Sequence, residues 1–339
     1  MILVTGATGH IGNVLVRQLN SIGVKPRILV LKGESLEPVR GLEFEATIGD
    51  VCDPASLDKA FEGIETVFHL AGIISIMPGK NKLVERVNVE GTKNVIEACR
   101  RHGVKKLVYT SSIHAIKRIP KGSVVDESLP FDPENPYGAY DQSKAQASLI
   151  VMKANGKDLE TVIACPTGVI GPYDFRISEM GKLILDCINA RNLLYIDGAY
   201  DFVDVRDVAS GIIQTWQKGT PGQYYLLSGH KISVRDLIHS VNHLSGKKPF
   251  LQRIPLMLAK LVASIAPLYY KLTNIKPRFT PYSIEVLQSN CDISHHKATR
   301  ELGYKTRTVN EMLFETIRWF LGNGKNSGRI KMPIPVRSL

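Results

Sequence analysis

The sequence has few cysteines, few aromatic residues and no long hydrophobic run, and each shortage argues against a class of protein. Its five cysteines are an odd number in 339 residues, and no two form a Cys-x-x-Cys pair. A disulfide framework and a structural zinc site are therefore not expected. We expect a reducing, cytoplasmic location instead. No apolar run reaches the ~18 residues that a membrane-spanning helix requires. Because Met1 leads directly into an apolar strand, no signal peptide is expected.

Acidic side chains are scarce in the last hundred residues. The chain has a net charge of +11, and residues 240–339 account for the excess with 16 basic and 5 acidic side chains. Aromatic residues are not interleaved with these cations, so a nucleic-acid interface is not expected. A solvated basic surface is the preferred interpretation. The alternative is attraction to an anionic substrate or to an anionic membrane face.

Short apolar runs alternate with helical patterns through the first half of the chain. Strands are predicted at residues 1–4, 27–31, 45–48, 66–70, 106–111 and 160–164, and long helices at 83–101 and 140–151. This alternation predicts an α/β fold of the Rossmann type, with a doubly wound parallel sheet. We expect a cofactor-binding domain at 1–168, to which roughly 200–230 return. A smaller, mainly helical substrate domain would hold 169–199 and 231–323, and 324–339 would be a mobile basic tail.

Glycines recur every third residue where the first strand meets the first helix. Gly6 permits a tight turn, Gly9 lets a pyrophosphate approach the backbone, and Gly12 lets the helix pack against the strand. The helix N-terminus would then offer free N–H groups to phosphate. About 20 residues further on, NAD-binding proteins carry an acidic residue, but Lys32 stands here. Lys32 favours the 2′-phosphate of NADP; alternatively, it is a surface lysine and Glu34 is a late acidic partner for NAD.

Tyr140 and Lys144 lie one helical turn apart, at the start of the helix that follows the fifth predicted strand. An ammonium group near a phenol favours the phenolate and lowers a pKa of ~10. Such a pair can act as the general acid/base in the interconversion of a carbonyl and an alcohol. A Tyr-x-x-x-Lys spacing alone is common by chance. A catalytic role is favoured here because the pair lies at the start of the helix after the fifth strand.

Together these motifs resemble the extended branch of the short-chain dehydrogenase/reductase superfamily, over nearly the whole chain. Further matches in the family's order are residues 49–50, 69–72, 88–92, 109–112, 166–172 and 202–209. Cys165 and Gly168 stand where many sugar-nucleotide enzymes have Arg and Asn, so the chain is more similar to dihydroflavonol reductases and 3β-hydroxysteroid dehydrogenases. The resemblance implies cofactor contacts from Gly6, Thr8, Gly9, His10, Ile11, Gly12, Lys32, Asp50, Val51, Leu70, Ala71, Gly72, Tyr140, Lys144, Pro166, Thr167, Gly168 and Val169.

The resemblance also implies a catalytic set of Ser112, Tyr140 and Lys144, with Ser111 as the alternative to Ser112 and with no metal. His69 and His114 are given no catalytic part. The reaction implied is an NADP-dependent interconversion of carbonyl and alcohol on a small or lipid-like substrate, apolar or anionic. A homodimer through the helices at 83–101 and 140–151 is implied as well.

Two other functions stay open. One is an NAD-dependent nucleotide-sugar epimerase or dehydratase that retains its cofactor. The other is a non-catalytic regulator that senses the cofactor, against which the complete Ser/Tyr/Lys set counts. The apolar stretch at 254–270 is interpreted first as a buried helix, second as a lid over a lipid-like substrate and third as a weak membrane-surface contact. Pro255 and Pro267 bound it, so a membrane span is not expected.

Overall fold

A parallel seven-stranded sheet forms the centre of the fold. The computed structural model describes residues 1–77, 79–189, 192–273 and 280–323, so the predicted mobile tail at 324–339 lies outside the described residues. In chain order the strands are β1 (Ile2–Thr5), β2 (Arg27–Val30), β3 (Glu45–Ile48), β4 (Thr66–His69), β5 (Lys106–Thr110), β6 (Glu160–Pro166), β7 (Gly168–Ile170), β8 (Asn192–Tyr195), β9 (Ala199–Asp204), β10 (Tyr224–Leu227), β11 (His230–Ser233) and β12 (Phe250–Arg253).

The order across the large sheet is β10-β6-β5-β4-β1-β2-β3, and every neighbouring pair is parallel. The predicted Rossmann-type fold is thus confirmed. From β1 the chain first builds outward through β2 and β3, and then crosses to β4 on the other side. The reversal leaves a crevice beyond the carboxyl ends of β1 and β4, where doubly wound folds bind ligands.

Helices cover both faces of this sheet. In chain order they are α1 (His10–Ser21), α2 (Pro54–Phe61), α3 (Lys82–Glu85), α4 (Gly91–Arg101), α5 (Ala139–Ala154), α6 (Glu179–Asn189), α7 (Val205–Lys218), α8 (Val234–Ser245), α9 (Leu256–Thr273), α10 (Pro281–Gln288), α11 (His296–Leu302) and α12 (Val309–Asn323). Leu3 and Leu107 lie in one buried apolar cluster, whereas the adjacent Val4 and Val108 lie in another on the opposite face. Burial on both faces is why these strands are continuous apolar runs.

The predicted helix at 83–101 is interrupted. A π-helical turn at Arg86–Glu90 separates α3 from α4. Such turns add one residue per turn and are frequent at functional sites. Here the turn carries Asn88, whose buried side chain faces α5 through Ser143.

Two smaller sheets lie outside the large one. β11, β9 and β7 form a three-stranded sheet, and β12 pairs with β8. A third apolar cluster joins this region to α6, α8 and α12 through side chains such as Ile184, Leu237 and Ile317. The preferred interpretation of the apolar stretch as a buried helix is wrong for the described side chains of α9: Ala259 and Ala263 are buried, but Met257, Leu261 and Ile265 are exposed. No helix among the described residues is long and apolar enough to cross a membrane.

Candidate active site

The turn between β1 and α1 requires glycine for two different reasons. Gly6 has a φ of +70°, and a Cβ there would lie 2.7 Å from the Ala71 nitrogen. A Cβ on Gly12 would lie 2.1 Å from the Gly6 oxygen, so helix and turn could not pack. Gly9 is more open, since its Cβ would meet only the Gly6 oxygen, at 3.2 Å. The Gly9 N-cap of α1 provides no side-chain hydrogen bond to the first N–H groups of the helix, and uncapped N–H groups of this kind can bind phosphate.

A buried hydrogen-bond network fixes the segment that follows β4 against this turn. The hydroxyl of Thr5 accepts hydrogen bonds from the Leu70 and Ala71 N–H groups, both at 3.2 Å. It also lies 2.7 Å from Nδ1 of His69, whose Nε2 is 3.1 Å from the Thr92 hydroxyl. Burial, aided by the Lys144 charge, lowers the pKa of His69 to about 3. His69 is therefore neutral and holds the two strand ends together.

Ser112, Tyr140 and Lys144 meet at the carboxyl end of β5. Tyr140 and Lys144 are buried near the start of α5, and Ser112 lies just after β5. Burial raises the pKa of Tyr140 to about 12, although a hydrogen bond with Ser112 acts in the opposite direction. The alternative serine, Ser111, hydrogen-bonds with Ser148 at 2.6 Å and so faces away into α5. The geometry favours Ser112 as the serine beside the phenol.

Among the described residues, no hydrogen bond joins Lys144 to the Tyr140 hydroxyl. Its Nζ donates hydrogen bonds to the Thr110 carbonyl oxygen at 2.7 Å and to the Tyr109 hydroxyl at 3.2 Å. Burial lowers the pKa of this ammonium to about 8. The expected lowering of the Tyr140 pKa by Lys144 is thus not what the described residues show, because burial dominates at both groups. A Cβ on Gly72 would lie 3.7 Å from the Lys144 Nζ, so the segment after β4 adjoins the lysine.

Asn88 ties this segment to the catalytic helix. Its side chain donates to the Ile73 carbonyl at 3.0 Å and accepts from the Ile73 N–H at 2.8 Å. It also donates to the Ser143 hydroxyl at 2.9 Å, and Ser143 donates to the Tyr140 carbonyl oxygen. Asn88 thereby positions the backbone beside Lys144.

A carboxylate and a guanidinium flank the open side of the glycine turn. The Glu34 carboxylate accepts from the Thr8 hydroxyl at 2.5 Å and from the Leu31 N–H at 2.9 Å. Arg176, from the loop after β7, donates to Thr8 at 2.7 Å and forms an ion pair with Glu34. Burial would raise the pKa of Glu34, but these hydrogen bonds and Arg176 lower it further, so the carboxylate is ionised. Lys32 is exposed at the same strand end.

The remaining predicted cofactor residues line the ends of other strands. Asp50 follows β3 and accepts a hydrogen bond from the Cys52 N–H at 2.8 Å, and Val51 is buried next to it. His10 is 3.0 Å from the Pro172 carbonyl oxygen. Thr167 hydrogen-bonds with Asp201. Pro166 to Val169 and Ile11 lie at the same edge of the sheet, and the functional roles of all these residues stay predictions.

Sequence analysis missed a polar network on the far side of Tyr140. The Tyr282 hydroxyl, on α10, donates to Asp141 at 2.7 Å and lies 3.2 Å from Nδ1 of His114. Tyr200 hydrogen-bonds with Nε2 of the same histidine at 2.7 Å. Arg118 donates to Asp141 at 2.9 Å. Burial would raise the pKa of Asp141, but His114, Tyr282 and Arg118 lower it more, so this carboxylate is ionised.

The centre of the His114 ring lies 6.1 Å from the centre of the Tyr140 ring. The position of Tyr200 also explains why residue 168 is glycine, because a Cβ there would lie 2.4 Å from the Tyr200 ring. The members of this network come from four separate segments, so no local pattern marks them. Asp141, a charged residue inside the Tyr-x-x-x-Lys motif, is the one sequence signal that could have drawn attention to it.

Comparison with known proteins agrees with the fold. Residues 3–214 match the 3-beta hydroxysteroid dehydrogenase/isomerase family. Sterol demethylase protein B of Methylococcus capsulatus is 32% identical over 95% of this chain and 98% of its own length. A putative dihydroflavonol 4-reductase of Synechocystis is 29% identical over 95% of this chain and 94% of its own. The crystal structure of gox2253 superposes with a TM-score of 0.83 at 30% identity, over 98% of this chain and 99% of the other.

The fold and these relatives define an NAD(P)-dependent enzyme of the extended short-chain dehydrogenase/reductase type. Within that class, the chain belongs to the 3-beta hydroxysteroid dehydrogenase/isomerase family.

Proposed function

We propose that the chain interconverts a secondary alcohol and a ketone on a lipid-like substrate, with NADP as the hydride carrier and Ser112, Tyr140 and Lys144 as the catalytic residues. The observation that carries the proposal is the convergence of these three side chains beside the glycine turn and Gly72. The open side of Gly9 and the uncapped first turn of α1 fit a pyrophosphate. When bound, the nicotinamide would supply or accept the hydride.

The three side chains have separate tasks in this proposal. Ser112 orients the reacting oxygen, and Tyr140 gives or takes its proton. Because the pKa of Tyr140 is raised to about 12, the phenol is protonated at neutral pH and is suited to donating a proton during reduction. Lys144 holds a positive charge beside Gly72, where it would stabilise the developing oxyanion and hold the cofactor.

The preference for NADP rests on the charges of Glu34 and Arg176, which contact Thr8, and of Lys32, two residues before Glu34 in the chain. Lys32 and Arg176 are two cations, and Glu34 is one anion. A 2′-phosphate would take the place of Glu34 as the partner of Arg176, whereas a 2′-hydroxyl would donate to Glu34. Since the two cations outnumber the carboxylate, we expect NADPH to bind more tightly than NADH. Glu34→Gln should then strengthen NADPH binding, and Arg176→Gln should weaken NADPH binding more than NADH binding. Tighter NADH binding by the wild-type chain would refute the preference.

The lipid-like substrate class is supported by the relatives and by the surface near the site. The Methylococcus relative is named as a sterol demethylase protein and the Synechocystis relative as a putative dihydroflavonol 4-reductase. α10 carries Tyr282 to the catalytic helix, and its Ile284 packs against the buried alanines of α9, whose outer face is apolar. These contacts connect the apolar helix α9 with the element that carries Tyr282, which supports an apolar substrate.

The test begins with the purified protein. Mass spectrometry and absorbance would show whether a nucleotide is retained, and fluorescence titrations would give the affinities for NADPH and NADH. Oxidation of a 3β-hydroxysterol and reduction of a 3-oxosteroid would then be compared in the wild type, Tyr140→Phe and the control Tyr195→Phe. We expect Tyr140→Phe to lose about 10²–10⁴-fold in turnover and to keep cofactor affinity, and the control to be unaffected.

Three outcomes would contradict the proposal. Unchanged turnover in Tyr140→Phe would remove the catalytic assignment. Retained NAD that resists dialysis, with no net consumption of NADPH, would indicate an epimerase or dehydratase. Cofactor binding without turnover of any substrate would indicate a cofactor-sensing regulator.

A further inference from the structure

α9 exposes large apolar side chains along one face. Met257 is 86% exposed, and Leu261 and Ile265 are each 61% exposed. Their spacing of four residues puts them on one side of the helix, and Leu258 and Val262, each about half exposed, lie beside them. The opposite side is buried through Ala259 and Ala263, the smallest apolar residues of the helix. α9 thus turns its small apolar side chains to the core and its large ones to the outside.

The strand pair β8–β12, whose second strand precedes α9 in the chain, also exposes large apolar side chains. Phe250 and Leu194 are 67% and 62% exposed on the β8–β12 ribbon. β12 ends at Arg253, and α9 begins three residues later at Leu256, so ribbon and helix are consecutive in the chain. Single exposed apolar residues are ordinary, but a contiguous group of this kind marks an interaction surface.

The same segment is free of acidic residues. From Leu237 to Ile284 the sequence contains no Asp or Glu, and its cations are Lys247, Lys248, Arg253, Lys260, Lys271, Lys276 and Arg278. Lys247, Lys248 and Lys260 are exposed on the ribbon side and within α9. Large apolar residues bordered by cations are the pattern of a helix that lies in the plane of an anionic membrane surface.

We propose that the exposed face of α9, with the β8–β12 ribbon, docks onto an anionic lipid bilayer. The helix would lie in the headgroup region, with Met257, Leu261 and Ile265 in the acyl chains and Lys260 at the phosphates. A second copy of the chain is a poorer partner, because a symmetric contact would bring Lys247, Lys248 and Lys260 against the same cations. Lipid phosphates supply the opposite charge.

The docking surface is physically connected to the catalytic helix. Ala259 and Ala263 of α9 share an apolar cluster with Ile284 of α10. Two residues before Ile284, Tyr282 donates its hydrogen bond to Asp141, the neighbour of Tyr140. If the proposed lipid-like substrate is correct, such docking places the entrance of the site at the bilayer from which the substrate comes. The docking itself does not depend on the reaction.

The test is co-sedimentation of the full chain with vesicles of phosphatidylcholine alone and with added phosphatidylglycerol. We expect binding to the anionic vesicles that weakens as salt is added. The double variant Leu261→Ser with Ile265→Ser should weaken binding roughly 100-fold, about tenfold for each side chain withdrawn from the lipid. The matched control is Ile22→Ser with Val124→Ser, which removes two equally exposed apolar residues elsewhere and should leave binding unchanged.

A charge variant separates the two contributions. Lys260→Glu should reduce the preference for phosphatidylglycerol while the unfolding midpoint stays unchanged, since the side chain is exposed. Wild-type protein that stays in the supernatant with both vesicle types would overturn the proposal. So would light scattering that shows a dimer converted to a monomer by the Leu261 and Ile265 changes, with no lipid binding. Because no cofactor or substrate is present, these outcomes are independent of the proposed reaction.

Discussion

Replacing Lys144 by Met is expected to stabilise the cofactor-free protein while it abolishes turnover. The Lys144 ammonium is buried, and its hydrogen bonds go to the Thr110 carbonyl at 2.7 Å and to the Tyr109 hydroxyl at 3.2 Å. Burial lowers its pKa from 10.5 to about 8. The folded chain therefore disfavours the charged form of a residue that the site requires. Met has a similar length and no charge.

The magnitude follows from that shift. At about 1.4 kcal/mol per pKa unit, the charged side chain costs the folded state about 3 kcal/mol. The variant also loses the hydrogen bond to Thr110, and this loss offsets about 1–2 kcal/mol of the gain in stability. At pH 7 the free energy of unfolding should then rise by about 1–2 kcal/mol in Lys144→Met.

The pH dependence has a definite sign. Below pH 8 Lys144 is ionised in both the folded and the unfolded chain, so the cost is fully present. Between pH 8 and 10.5 the unfolded chain binds more protons at this site than the folded chain, so wild-type stability gains relative to the variant as pH rises. The excess stability of Lys144→Met over the wild type should decrease as pH rises from 8 to 10.5. Once the wild-type amine is neutral, the wild type should be the more stable of the two.

Urea unfolding of the cofactor-free proteins at pH 7 and at pH 10 measures both quantities. The control is Lys153→Met, which removes an exposed lysine of the same helix. Its effect on unfolding should be small and independent of pH. A stability difference between wild type and Lys144→Met that is equal at the two pH values would refute the reasoning, because it would show that burial of the charge is not what sets the cost.

Two further changes test the supports of the site. Gly12→Ala places a Cβ 2.1 Å from the Gly6 oxygen and should destabilise the chain by about 3 kcal/mol in chemical unfolding. In the control Gly156→Ala the new Cβ has no heavy atom within 4 Å, so the stability of the chain should not change. Equal destabilisation by the two substitutions would contradict the packing argument. Tyr282→Phe removes a hydrogen bond to the ionised Asp141 and should cost about 2 kcal/mol at pH 7. That difference should disappear as pH falls and Asp141 is protonated, and a constant difference would indicate lost packing instead.

Local patterns were sufficient to predict the central sheet and the glycine turn. The inner strands such as β1 and β4 are buried on both faces, so each is an apolar run visible in a few consecutive residues, whereas the edge strand β3 is largely exposed. Gly6, Gly9 and Gly12 are neighbours in the sequence and in space, so their spacing directly reports the turn. The predicted helix at 140–151 differs from α5, Ala139–Ala154, by a few residues at its ends.

Contacts between distant segments were not predictable in this way. Arg176 reaches Glu34 across 142 positions, and Tyr282 reaches Asp141 across 141. Neither pair has a local signal, because its partners are brought together only when the second region folds onto the sheet. Burial of α9 was preferred over its exposure for a related reason: an apolar sequence does not reveal which side of a helix finds a partner.

The site also shows why residue types alone do not give their electrostatics. The Tyr-x-x-x-Lys spacing suggests that the ammonium lowers the pKa of the phenol, yet the pKa of Tyr140 is raised to about 12 and that of Lys144 is lowered to about 8. The largest cause of both shifts is the burial of the two groups. Each shift favours the neutral form of its group. The same burial strengthens any interaction with charge that develops on a substrate oxygen. Burial of Lys144 is therefore the common origin of two effects: it lowers the stability of the folded chain, and it strengthens the role in catalysis that we propose for this residue.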